Sequence, residues 1–252
     1  MYSKIIGFIL MAHLCFAQNT DSTKQQVNFR LSSSITNNGF SFIPSFSLGK
    51  PAAIFNMNIN GGKRFSFDPE FRFSLLDGKP WSFIFIWRYK IINQKKFQLT
   101  AGTHLPAIPF RTLAYETNPM KQTMASSRVI PVEMTPNWVI SKNLSFSLFY
   151  LYAKGVSDDA VKTTNFVNLR ALISNVKLSR NLLLRLNPQL FYLQMDAKDG
   201  FYFASNFVIS SKKTPFYLGS TINKPLKTNI TGKNFDWNIS LGYSLDRKYE
   251  RK

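Results

Sequence analysis

The chain has 252 residues, a formal net charge of +19 at pH 7 and a single cysteine, Cys15. One cysteine excludes an intramolecular disulfide, and only two histidines, His13 and His104, exclude a histidine-based metal site. A positive charge of this size points to nucleic acid, anionic lipid or an acidic ligand as a partner.

The first residues have the pattern of a secretory signal peptide. Lys4 supplies a basic start, and the apolar stretch 5–16 is too short to cross a bilayer as a helix. Cleavage is expected after Ala17, which makes 1–17 the signal peptide. Export removes nucleic acid from the expected partners and leaves anionic lipid as the best fit to the charge.

From about residue 27 the sequence alternates between apolar and polar side chains. Aromatic residues and leucine occupy the odd positions of 65–75, with polar and charged residues between them, and 81–90 and 235–245 show the same pattern. A period of two is typical of a β-strand with one apolar and one polar face.

The alternation predicts twelve strands, although ten or fourteen remain alternatives. Their expected ranges are 39–48, 52–60, 64–76, 81–91, 97–108, 127–140, 143–154, 165–175, 181–195, 200–211, 215–223 and 234–246. A further piece at 27–35 would extend the first strand or lie against the barrel. We therefore divide the mature chain into an N-terminal periplasmic segment, 18–38, and a β-barrel, 39–252.

Strand length and composition favour a membrane barrel over a soluble sandwich. The predicted strands have lengths suited to a tilted bilayer crossing of about 9–11 residues, and their polar faces carry charges in mid-strand. Phe71, Phe83 and Leu241 should face lipid, with Arg72, Arg88 and Asn238 inside. Aromatic residues near strand ends are expected to form interfacial girdles. These are Trp81, Trp87, Tyr89, Trp138, Tyr150, Tyr152 and Trp237.

Five prolines fall inside predicted strands, and all of them occupy positions of the apolar face. They are Pro44, Pro69, Pro131, Pro136 and Pro188. Because proline cannot donate a ladder hydrogen bond, we expect bulges or rim positions there.

Several short segments carry a family resemblance. The Ala17–Gln18 signal junction, GKPW at 78–81, WRYK at 87–90 and NFDWNISLGYSL at 234–245 resemble outer-membrane β-barrels of Bacteroidota. The resemblance implies a Gram-negative outer membrane, and the last strand resembles the signal read by the barrel-assembly machinery. Here the chain continues with DRKYERK beyond Leu245 instead of ending on an aromatic residue.

The polar face predicts the residues that line the lumen. They are Asp68, Glu70, Arg72, Arg88, His104, Glu133, Arg170, Arg185 and Asp236. Opposed acidic and basic side chains could orient a charged solute in a narrow channel, or could form an interior salt-bridge network that only rigidifies the barrel. The GKP connection limits the register of its two strands, so that Arg88 should lie opposite Glu70 or Asp68.

An enzymatic alternative depends on His104. Outer-membrane phospholipases also have twelve strands and use a serine, a histidine and an asparagine, so a serine within hydrogen-bond reach of His104 would favour a lipid-modifying enzyme. No known catalytic or nucleotide-binding motif is present. We therefore predict no catalytic residue, metal site or cofactor, and expect Asp158 and Asp159 to be solvated.

Basic residues gather at strand ends that the alternation of short and long connections places in the periplasm. They are Lys95, Lys96, Lys212, Lys213, Arg247, Lys248, Arg251 and Lys252. Anionic headgroups of the outer membrane are their expected partners. The sequence as a whole predicts a porin-like barrel for small polar or anionic solutes, with a lipid-modifying enzyme or a closed structural barrel as alternatives.

Overall fold

The computed structural model describes residues 26–61, 64–115 and 121–250. The predicted signal peptide lies outside the described residues. The strands are β1 Gln26–Thr36, β2 Ala52–Asn60, β3 Phe65–Ser74, β4 Pro80–Asn93, β5 Phe97–Tyr115, β6 Lys121–Ser126, β7 Val129–Val139, β8 Leu144–Gly155, β9 Thr163–Lys177, β10 Leu182–Met195, β11 Lys198–Ser211, β12 Phe216–Thr228 and β13 Asp236–Glu250. A 3-10 turn, η1, covers Pro44–Phe46.

The strands form a closed antiparallel β-barrel, which confirms the predicted fold class. Twelve strands make the ring in chain order, because β1 pairs with β13 and β4 pairs with β5. Strand β6 stands outside the ring as a hairpin partner of the end of β5. Within the described part of the chain, no helix is long and apolar enough to cross a bilayer.

The two ends of the barrel differ in their connections. Short turns at 94–96, 140–143, 178–181 and 212–215 share one end with the start of β1 and the end of β13; we call this the turn end. The longer segments 37–51, 156–162 and 229–235 and the β5–β6 hairpin lie at the opposite, loop end, together with the shorter connections 75–79 and 196–197. This asymmetry is typical of outer-membrane barrels.

Apolar side chains cover the outside of the barrel, as predicted. Leu169, Leu190 and Leu241 are each about half exposed, and Phe71 packs edge-on against Phe83 with ring centroids 5.4 Å apart. Of the predicted girdle, the large exposed side chains are Tyr89, Trp138, Tyr150 and Trp237. Trp81 is an exception.

Trp81 does not join the outer girdle, because the β3–β4 register shifts between Arg72 and Phe73. The shift turns Trp81 inwards, where it is 2% exposed and its ring lies 4.8 Å from the Arg72 guanidinium carbon. A β-bulge of this kind re-aims a side chain.

The predicted first strand at 39–48 is wrong. The first barrel strand is β1, while 37–51 is a loop that folds into the lumen. We call 37–51 the inner loop. Its alternating aromatic residues imitate a strand, but Pro44 begins η1 and Gly39 hydrogen-bonds Lys50, Leu48 and Gly49 to close the neck of the loop. The predicted extra piece at 27–35 is therefore a full crossing.

The expectation of bulges at the strand prolines is mostly wrong. Beside Pro69, Pro136 and Pro188 the pairing with one neighbouring strand is interrupted and then resumes in the same register. Pro131 lies next to a register shift between β5 and β7, and Pro44 lies outside the strands. A missing hydrogen-bond donor is therefore accommodated by a gap in the ladder more often than by an extra residue.

Substituting arginine on the outer face should destabilise the barrel in a bilayer. Leu169 is 53% exposed in the middle of β9, so Leu169→Arg should cost roughly 2–4 kcal/mol if that face meets hydrocarbon. The measurement is the free energy of unfolding from phospholipid vesicles in urea. Ser240→Arg, which faces the lumen, is the control and should be much milder. Equal effects of the two changes would contradict the assignment of faces.

Candidate functional site in the barrel lumen

A row of charged residues crosses the inner wall over β4, β5 and β7. Arg88 pairs with Gly102, and Gly102 pairs with Glu133, so one glycine separates the two charges. A Cβ on Gly102 would lie 2.6 Å from the Trp87 carbonyl oxygen and 3.1 Å from Glu133 Oε1. The Arg88 side chain passes over this gap and ion-pairs with Glu133, whose side chain is 1% exposed. The absence of a side chain on β5 is thus what lets Arg88 reach a strand beyond its neighbour.

Two further side chains complete this charged row. Arg88 Nη1 lies 2.7 Å from Asp68 Oδ2, and His104 Nε2 lies 2.7 Å from Glu133 Oε2. The predicted pairing of Arg88 with Asp68 or Glu70 is confirmed for Asp68, but the predicted register is wrong. Arg88 lies directly opposite Ser66, which makes Asp68 a diagonal neighbour. Glu70 instead pairs with Arg72 on its own strand.

His104 is held by a carboxylate. Its described hydrogen bond is to Glu133, and no serine hydrogen bond to His104 occurs in the described part of the chain. Within residues 26–61, 64–115 and 121–250, no group of three or more His, Cys, Asp or Glu side chains could hold a metal ion. The position of His104 therefore does not provide the nucleophile pair on which the enzymatic alternative depends.

Arg170 and Arg185 line a polar part of the lumen, and Arg170 is close enough to the charged row to feel the charges of Arg88 and Glu133. Both border a cavity of about 550 Å³ with Asn137, Asn187 and Asn206, and neither forms an ion pair in the described chain. Arg170 donates from Nε to Ser147 Oγ at 2.9 Å, and its guanidinium carbon lies 5.0 Å from the Phe149 ring centre. Neither arginine has an ion-pair partner among the described residues, so both contribute positive charge to this part of the lumen.

The interior is apolar near the loop end, which the alternation of polar and apolar faces did not predict. Inward residues of β8 to β11 form a buried cluster. Its members are Leu151, Ala153, Phe166, Phe191, Leu193, Tyr202 and Ala204. The inner loop covers the cluster: Phe42 lies 5.3 Å from Phe191 between ring centroids, and Trp81 Nε1 donates to the Phe46 carbonyl at 2.8 Å.

The inner loop thereby touches two walls that lie nearly opposite each other in the ring, β10 and β4. It separates a cavity of about 330 Å³ on the β3 to β9 side from one of about 670 Å³ on the β12 side. The loop is the narrowing element of the lumen, and the two cavities beside it have different chemistry.

A polar route follows the inward face of β12. Asn223 borders the 670 Å³ cavity at the loop end, Thr221 and Gly219 border the 550 Å³ cavity, and Tyr217 borders that cavity and a further one of about 640 Å³ towards the turn end. The Tyr217 ring lies against Gly242, where a Cβ would approach to 2.1 Å. Lys224, Lys227 and Lys233 line the loop-end cavity. Basic side chains therefore occur at the loop end of the route and, as Arg170 and Arg185, farther along it.

Two acidic residues stabilise the loop end. Asp236, a predicted lumen residue, accepts a 2.7 Å hydrogen bond from Asn38 at the rim. Asp158 and Asp159 are exposed, as expected, and Asp159 also accepts hydrogen bonds from Ser127 Oγ at 2.8 Å and from Arg111 Nη2 at 2.7 Å. The Ser127 hydrogen bond and the charge of Arg111 lower the pKa of Asp159.

The basic residues predicted at one end do lie together there. Lys95, Lys96, Lys212 and Lys213 occupy exposed turns at the turn end, where β13 also carries Arg247 and Lys248. Arg251 and Lys252 lie outside the described residues.

No family model matches the sequence, and no curated protein matches it. Solved structures resemble the fold. The KdgM porin in complex with disordered oligogalacturonate aligns with a TM-score of 0.54 at 8% identity, over 87% of this chain and 99% of the porin. The NanC porin aligns with a TM-score of 0.52 at 8% identity, over 89% of this chain and 100% of the porin. At these identities the likeness establishes an outer-membrane-type barrel fold.

Proposed function

We propose that the protein is an outer-membrane channel for small polar solutes, with a preference for anions. The observation that carries this proposal is the pair Arg170 and Arg185, which line the 550 Å³ lumen cavity without an acidic partner in the described chain. Charged side chains that line a pore select ions of opposite sign. The lysines around the loop-end cavity would raise the local anion concentration at its entrance.

The shape of the lumen supports passage along one side. The cavities that Asn223, Thr221 and Tyr217 border follow β12 from the loop end towards the turn end. The charged row on β3, β4, β5 and β7 offers no free positive charge, because its arginine, Arg88, is shared between two carboxylates, Asp68 and Glu133. We therefore assign solute selection to the two unpaired arginines, Arg170 and Arg185. The charged row is assigned the role of stiffening the barrel wall. Similarity to the KdgM and NanC porins supports the same role.

The proposed setting is the outer membrane of a Gram-negative bacterium, with Bacteroidota as the group that the sequence resemblance favours. Short turns face the periplasm in such barrels. The turn-end lysines Lys95, Lys96, Lys212 and Lys213 would then meet anionic phospholipid headgroups of the inner leaflet. Insertion would use the barrel-assembly machinery.

Ion selectivity tests the proposal. In planar bilayers with a potassium chloride gradient, the reversal potential of the wild-type barrel should lie closer to the equilibrium potential of chloride than to that of potassium. Arg170→Gln with Arg185→Gln should lower the chloride-to-potassium permeability ratio severalfold, because both positive charges in that cavity are lost. Arg180→Gln removes an exposed arginine in the turn 178–181 and is the matched control. A folded barrel without conductance, or an unchanged ratio in the double variant, would overturn the proposal.

A further inference from the structure

The cavity on the β3 to β9 side of the inner loop has a different lining from the solute route. We call this 330 Å³ space the apolar chamber. Phe42, Ile43 and Phe46 of the inner loop form one wall. The inward residues of the barrel wall form the rest, and they include Ile84, Ile86, Val129, Phe149, Leu151 and Phe166. Barrel interiors are ordinarily polar, so this apolar lining needs a reason beyond closing the barrel.

Part of the reason is the packing of the inner loop, but the loop does not fill the space. Phe42 packs on Phe191, while Ile84 and Ile86 border the space that remains. The remaining chamber has the size and lining of a small-molecule site, since such sites span about 300–1,000 Å³ and are mostly apolar with a few placed polar groups. Its volume lies at the lower end of that range.

The charged side chains that line this chamber are Glu70, Arg72, Arg111 and Asp159, with His104 beside them. Arg111 is paired with Asp159, whereas Arg72 has donors to spare. Its Nη2 contacts Glu70 and its guanidinium stacks on Trp81. Its Nε and Nη1 are buried and have no hydrogen-bond partner among the described residues. A buried donor without an acceptor is unfavourable, and an acceptor supplied by a ligand would remove that penalty. Arg72 is therefore placed to donate hydrogen bonds to one carboxylate.

We propose that the apolar chamber binds a small apolar monocarboxylate, with its carboxylate on Arg72 and its apolar body against Ile84, Ile86 and Phe149. A single negative charge fits better than two, because Glu70 lies beside Arg72. The other basic side chains of the chamber are already held, His104 by Glu133 and Arg111 by Asp159. This site is separate from the proposed solute route, which follows β12 on the other side of the inner loop.

Calorimetric titration with 2-naphthoate, a compact aromatic monocarboxylate, tests the site. The full barrel is placed in lipid nanodiscs, and the heat from empty nanodiscs is subtracted. Saturable binding of one 2-naphthoate per barrel is expected. Arg72→Met, which keeps an apolar stem on Trp81, should weaken binding by about ten- to a hundredfold. The uncharged 2-naphthamide should bind both forms with similar affinity.

Two further variants keep the result interpretable. Ile86→Trp places a larger side chain in the chamber wall and should abolish binding of both probes, although Arg72 is retained. Arg185→Met removes an unpaired lumen arginine on the solute route and should leave 2-naphthoate binding unchanged while it alters ion selectivity. Slower migration after boiling on a gel verifies that each variant is folded. Binding no greater than that of empty nanodiscs, or equal binding of 2-naphthoate to wild type and Arg72→Met, would overturn the proposal.

Discussion

Shortening the inner loop should raise the single-channel conductance severalfold. The loop reaches Phe191 on β10 and Trp81 on β4, and these strands face each other across the lumen. Its neck is closed by hydrogen bonds between Gly39 and Lys50 and from Gly49 to Gly39. Residues 40–48 can therefore be replaced by Asn-Gly, which suits a tight two-residue connection. Conductance in planar bilayers measures the result.

A point variant distinguishes the effect of loop position on conductance from the effect of loop size. Phe42→Ser removes the ring that packs on Phe191 and should give a smaller increase in conductance with more frequent fluctuations. Phe42→Leu keeps an apolar contact and serves as the control. The shortened barrel should still migrate faster unboiled than boiled on a gel, because no ring strand has been touched. An unchanged conductance in the shortened form would show that the inner loop does not narrow the route.

The inner loop also shows where sequence patterning misleads. GFSFIPSFSL at 39–48 and QVNFRLSSSIT at 26–36 both alternate, and the first is the more aromatic. Alternation shows only that every second side chain has an apolar environment. A loop that packs on the buried cluster around Phe191 provides such an environment, as lipid does for a strand of the barrel. The ring still contains twelve strands because β1 takes the place of the misassigned segment.

For the site, the sequence identified the types of residue but not all of their partners. Arg88 and Asp68 could be paired from the short GKP connection, even though the register is shifted by the bulge near Phe73. Glu133 could not be paired with Arg88, because they belong to strands separated by β5. The available signal was Gly102, a glycine inside a strand, which marks close approach of neighbouring groups. The apolar chamber had no signal, since its lining combines inward residues of several strands with a loop that the pattern misassigned as a strand.

Removing the carboxylate of Glu133 should be among the most destabilising single changes in the barrel wall. Glu133 accepts from both Arg88 and His104, and its side chain is 1% exposed. Glu133→Ala would leave Arg88 with Asp68 alone and His104 without its described partner. Breaking a buried ion pair from one side typically costs about 3–5 kcal/mol. The measurement is the free energy of unfolding in urea from phospholipid vesicles, extrapolated to zero denaturant.

An exposed pair and the glycine gap provide the comparisons. Asp246→Ala breaks the ion pair between Asp246 and Arg30, whose side chains are 51% and 60% exposed, respectively. The change should lower the free energy of unfolding by no more than about 1 kcal/mol. Gly102→Ala places a Cβ between Arg88 and Glu133 and should also destabilise the barrel. Because both changes disrupt the same contact, the double variant Gly102→Ala with Glu133→Ala should lose less than the sum of the two single losses. Full additivity, or a Glu133→Ala effect no larger than that of Asp246→Ala, would show that the charged row contributes little to the stability of the wall.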